Sequence, residues 1–179
     1  MNKSQTISNL ISFILMLGAA VLVIYCLATQ KGISEYGTYL ISSVLILLAL
    51  FCGIVYSAMG STKSVGLLLR CFECLTGAAM LASIGRMASI GASPISIVLT
   101  ALSFGLLCIL CVAENLGKKR SYCLGAILAA LEVVNLIMAL SGTIQFAEIS
   151  NGIARLIIIV ILVLLLTHKY YDKDSRGRA

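Results

Sequence analysis

Six runs of mostly apolar residues, each close to the 20 or so that a helix needs to cross a bilayer, leave this chain little choice of fold. They are Leu10–Ala28, Tyr39–Met59, Val65–Ile84 with an extension toward Ile90, Ile95–Ala113, Tyr122–Leu140 and Ile149–Thr167. Each run is continuous, whereas strands of a membrane barrel alternate polar and apolar over about 10 residues. The connections are short and carry breaker chemistry. Ser93-Pro94 reads as a helix start, because a proline at the first helical position gives up no needed N–H. Asn115 and Gly117 are placed to end the fourth helix and Ser141-Gly142 the fifth. The first run reads as a retained helix. It is longer than the 7–15-residue core of a signal peptide, no A-x-A site follows it, and Tyr25 precedes Cys26 where a lipoprotein signal needs a small residue.

Composition closes the soluble alternative. Of 179 residues, 60% are hydrophobic and 11% charged, against about 25% charged in soluble domains, so the polar groups needed to coat a soluble fold are missing. The expected fold is all-α: a polytopic membrane bundle of six transmembrane helices with short loops. Residues 1–168 form one transmembrane domain, and 169–179 a basic cytoplasmic tail.

Basic residues stay on the cytoplasmic side, and here they sort by side. With the N-terminus inside, that side holds Lys3, Lys63, Lys118, Lys119, Arg120, Lys169, Lys173, Arg176 and Arg178, with Arg70 close by. The far side holds Lys31, Arg86 and Arg155, ten against three. Both termini are therefore expected in the cytoplasm and the protein in the plasma or inner membrane. The net charge of +6 reads as a topology signal and a tail beside anionic lipid, not as a nucleic-acid surface.

An offset of 59 residues lays 40–83 on 99–142 and aligns Cys52 with Cys111, Gly66 with Gly125 and Glu73 with Glu132. That pattern raises a parallel repeat of helical hairpins, helices two-three on four-five.

Glu73 and Glu132 are the leading candidates for chemistry. Each falls about 12–16 Å inside its helix at 1.5 Å per residue, where a charge costs a few kcal/mol and turns to the bundle interior. Arg70, Glu73 and Thr76 share one helix face, and Glu132 and Asn135 another. One reading is a polar site for a small solute, cation or proton. The other is helix glue, with Glu73 neutralising Arg70 and Glu132 bonding Asn135 or a neighbouring helix.

Two C-x-x-C pairs, Cys71/Cys74 and Cys108/Cys111, put two thiols on one helix face each. Four thiolates can hold a metal, but cysteine is also a small buried hydrophobe and the cytoplasmic side is reducing. Metal or thiol-redox chemistry is accordingly the weakest of three readings, and no cofactor is expected. Small-residue stripes (Ala49/Gly53/Ser57, Ala78/Ala82, Ala101/Gly105, Gly125/Ala129) allow close helix packing. Leu156 to Leu166 is wholly aliphatic and reads as lipid-facing, with Arg155 and Lys169 snorkelling to opposite interfaces.

Enzyme chemistry finds no support. His168 is the sole histidine, Asp172 and Asp174 lie in the tail, and there is no phosphate-binding glycine motif. Two functions are therefore expected in competition. The first is a transport or transport-accessory protein with its site at Glu73 and Glu132. The second is a structural or regulatory subunit that packs against another membrane protein or a second copy of itself. Besides these, the partner is the lipid bilayer.

Overall fold

The computed structural model describes the backbone over residues 3–29, 36–59, 65–112, 118–141 and 146–176. It is all-helical there: α1 Lys3–Thr29, α2 Tyr36–Met59, α3 Val65–Ser89, α4 Pro94–Val112, α5 Lys118–Ser141 and α6 Phe146–Arg176. All six are long and apolar enough to cross a membrane. Lys31, Lys63, Asn115, Gly117 and Gly142 lie outside the described residues.

Consecutive helices pack side by side, and α6 closes the ring against α1 while also touching α2 and α3. Each helix turns one stripe inward at three- and four-residue spacing, as a 3.6-residue turn requires. On α1 it is Ser12, Met16, Ala19, Val23 and Cys26; on α4, Ser96, Thr100, Ser103, Leu107 and Leu110. On α5, Ser121, Gly125, Leu128, Glu132 and Asn135 follow the same rule. The outer faces are apolar as well, rich in exposed Leu, Ile and Val such as Ile14, Ile41, Leu67, Val98 and Ile137. The interior mixes an apolar core with buried polar residues, and it is the apolar outside that a water-soluble bundle lacks.

The sixth helix corrects the sequence reading. The Leu156–Leu166 run is not the lipid-facing one: Glu148–Leu166 is the most buried of the six spans, at 56%. Ile158, Ile159, Ile161, Leu162 and Leu166 fill the core against the other helices. A run of aliphatic residues satisfies lipid and a packed interior equally, so sequence alone does not separate the two. The helix also continues through residues 169–176, so most of the basic tail extends α6.

One corner is written fully in local chemistry. Gly91 adopts φ +64° just past α3, a conformation that glycine reaches without Cβ strain. The Ala92 N–H bonds Met87 O at 2.9 Å and the Gly91 N–H bonds Ala88 O at 3.3 Å, the paired bonds of a Schellman C-cap. Pro94 then opens α4, as its fixed φ favours.

Two glycines set helix spacing. A Cβ on Gly53 would meet Met16 Sδ at 2.5 Å and Phe72 at 3.2 Å, where α1, α2 and α3 converge. A Cβ on Gly125 would collide with the Val163 side chain, where α5 meets α6. Gly105 faces open space, and Ala101 and Gly105 are both exposed, so the α4 stripe does not serve packing within this chain. Gly125→Leu should therefore lower unfolding stability in detergent by about 1–3 kcal/mol through overpacking, while Gly105→Leu should leave it within about 0.5 kcal/mol. Equal losses at the two positions would contradict the α5–α6 contact.

Candidate functional site

Three arginines, two on α3 and one on α6, decide where the acidic groups end up. On α3, Arg70 Nη1 donates to Glu73 Oε2 at 2.9 Å, the i,i+3 pair expected from the sequence. Arg70 Nη1 also reaches the Cys111 carbonyl of α4 at 3.4 Å. Glu73 is buried, while its arginine partner is 49% exposed. Thr76 is buried as well, but its hydroxyl donates back to Phe72 O at 2.7 Å and does not extend the pair.

Glu132 finds a partner that the sequence reading placed elsewhere. Arg155 does not snorkel to an interface. It lies in α6, about 10 Å along the helix from Glu148, with its side chain 6% exposed. Its Nε donates to Glu132 Oε2 at 2.8 Å, joining α6 to α5. Asn135 is not the partner of Glu132 either: its amide donates to Thr100 Oγ1 of α4 at 2.6 Å. Arg86, read as a far-side loop residue, is likewise buried. Its Nε and Nη2 bond Glu148 Oε1 at 2.9 and 2.8 Å, and its Nη1 donates to Thr38 Oγ1 at 3.2 Å. The guanidinium also lies 5.8 Å from the Tyr39 ring centroid. A cation inside a low-dielectric bundle needs such counter-charges, and helix-to-helix pairing supplies them.

Between these two clusters the Asn151 amide donates to Ser43 Oγ at 3.0 Å, and Ser42 and Ser83 hydroxyls meet at 3.2 Å. Glu148, Asn151 and Arg155 stand at i, i+3 and i+7 on one face of α6. Ile158, Leu162 and Leu166 continue that face as apolar residues. This face of α6 is thus polar from Glu148 to Arg155 and apolar from Ile158 to Leu166.

The five sequence candidates split. Glu73, Arg70 and Thr76 sit in the N-terminal half of α3, level with the C-terminal end of α4; Glu132 and Asn135 sit on α5, bonded to α6 and α4. Each carboxylate has its own arginine, so a shared acidic pair is not formed. The offset of 59 equates Glu73 with Glu132, yet one pairs within its helix and the other across helices. Glu148, Arg86, Arg155 and Asn151 were missed as site residues. Their positions near predicted helix ends disguised them, although the 148, 151, 155 spacing carried the signal.

The Glu132 pair is only half satisfied. Oε1 of Glu132, 1% exposed as a residue, has no hydrogen-bond partner, so the arginine does not form the two-pronged fork typical of Arg–carboxylate pairs. Ser103 Oγ, on a fully buried residue, is also without a partner. Ser103 lies one turn from Thr100, and Glu132 one turn from Asn135. With α4 and α5 antiparallel and Thr100 bonded to Asn135, Ser103 and Glu132 are level. Glu73 Oε1 is unpartnered too.

No cysteine is bridged. Cys71, Cys74, Cys108 and Cys123 are exposed, Cys52 and Cys111 half-buried and Cys26 buried. Among the described residues no three His, Cys, Asp or Glu side chains gather as metal ligands.

Arg155→Ala should strand a buried carboxylate and cost about 3–5 kcal/mol of unfolding stability. Arg70→Ala should cost less, since the Arg70 guanidinium is 49% exposed and its pairing with Glu73 is screened. Reversible unfolding in mixed micelles checks the order; equal effects would contradict the burial of Arg155. No family model matches this chain, and neither a curated protein nor a solved structure is significantly similar to it.

Proposed function

We propose that this is a multi-pass membrane protein of transport or transport-accessory type, with a small-solute site at the Glu132–Arg155 pair. Insertion in the bilayer is supported by the apolar outer faces and by polar groups confined to the inside. Both termini are assigned to the cytoplasm, in the plasma or inner membrane, on the basic-residue asymmetry. Burial of Arg86 and Arg155 sharpens that asymmetry. These two serve internal pairs, which leaves Lys31 as the far-side basic residue outside the described helices.

The observation that carries the solute reading is the unpartnered Glu132 Oε1 in the centre of the bundle. A buried acceptor left without a donor costs about 1–3 kcal/mol, more when charged. A pure packing device would close its fork. Glu73 Oε1 is unpartnered as well, but its arginine is 49% exposed, so that pair opens to its surroundings, whereas the Glu132–Arg155 pair is enclosed on both sides. The proton-exchanging carboxylate pair loses its basis, since the two acids have separate partners.

A second reading keeps one specific support. The exposed Ala101/Gly105 stripe on α4 suits close approach by another helix, as a subunit that packs against a membrane partner would need.

The double variant Glu132→Leu/Arg155→Met separates the two. Replacing a buried ion pair by apolar residues of similar volume is commonly neutral for stability, so the fold should survive. Native mass spectrometry from mild detergent should then show a bound small molecule on the wild type that the double variant has lost. A wild type carrying only lipid or a protein partner, with the double variant unchanged, would favour the structural subunit.

A further inference from the structure

Glu132 and Arg155 cancel each other's charge, and that fixes what the open half of the pair can accept. Three groups lie at one level of the bundle: the Glu132 carboxylate with a free Oε1, the Arg155 guanidinium that spends Nε on the pair, and the Ser103 hydroxyl with a free Oγ, set level with Glu132 by the Asn135–Thr100 bond. All three residues are at least nine-tenths buried, at 1%, 0% and 5% exposure. Oε1 can only accept a hydrogen bond, Ser103 Oγ can do either, and the guanidinium can only donate. A ligand seated here must therefore offer a donor to Glu132 and an acceptor to Arg155.

Electrostatics narrows the class. An added ion would leave one unbalanced charge in a medium where burying a lone charge is far costlier than in water. A zwitterion or an uncharged polyol adds none.

We infer, resting on the solute reading above, that Glu132, Arg155 and Ser103 form a site for a small net-neutral solute bearing both a donor and an acceptor, and not for a cation or a proton. This departs from the sequence expectation of a cation site at the glutamates, in which Glu132 would be an uncompensated negative charge.

The test is equilibrium retention of radiolabelled probes by the full chain in lipid nanodiscs. The probes are alanine and glycerol, set against glycine betaine, choline, rubidium and acetate. Alanine or glycerol should be retained saturably, and choline, rubidium and acetate at least tenfold less. Betaine, a zwitterion with no N–H to give Glu132, should also be weak. Glu132→Gln leaves Arg155 unbalanced and should turn the preference toward acetate, a switch that a merely structural role would not produce. Should that variant fail to fold, Ser103→Ala removes a hydroxyl with no protein partner. It should weaken retention several-fold at an unchanged melting temperature. Retention of choline or rubidium over alanine and glycerol would overturn this inference and leave the solute reading standing. Retention of none of the probes would overturn the inference, and the native mass spectrum then decides the solute reading separately. Unaltered retention by folded Ser103→Ala would remove Ser103 and its level of the bundle from the site.

Discussion

A charge that enters a helix bundle has to be cancelled inside it, and here that requirement decides which helices touch. Arg155 carries a positive charge into the most enclosed helix, and Glu132 on α5 supplies the opposite charge 2.8 Å away. Arg86 does the same nearer the loop end, drawing Glu148 of α6 and Thr38 of α2 to α3. Arg70 does so at the other end, reaching from α3 to the Cys111 carbonyl of α4. Apolar packing is nearly indifferent to register, since lipid tails are as apolar as leucine. The ion pairs and the Asn135–Thr100 and Asn151–Ser43 bonds are directional. They fix helix rotation and depth, and the small residues Gly53 and Gly125 then let the backbones close up around them.

The same interactions divide the inward face of α6 lengthwise. Polar groups occupy the α6 face as far as Arg155, and Ile158, Leu162 and Leu166 take over beyond it. On α6, hydrogen-bonding groups therefore lie on the loop side of the Glu132 level and aliphatic side chains on the side of the termini.

The number of helices, their approximate ends and the inward turn of Glu73 and Glu132 were legible in the sequence, because each follows from a local cost: about 20 apolar residues per crossing, and the expense of a carboxylate in hydrocarbon. The Arg70–Glu73 pair was legible for the same reason, being three residues apart on one helix. What could not be read was any pairing across helices. Arg155 beside eleven aliphatic residues looks like an interfacial anchor until Glu132 is known to lie opposite. The Leu156–Leu166 run looks like a lipid face until four neighbouring helices are seen around it. When both environments of a helix are apolar, hydrophobic periodicity carries no direction, and only the scattered Ser, Thr and Asn of the inner stripes mark the inside.

The central claim is that Glu132 and Arg155 act on each other as one buried unit. A double-mutant cycle on reversible unfolding, built from Glu132→Leu and Arg155→Met, measures that directly. If the pair is as described, each single substitution should destabilise by about 3–5 kcal/mol, and the double variant should recover most of the loss. Additive effects, with the double variant as unstable as the sum of the singles, would mean that the two side chains do not meet.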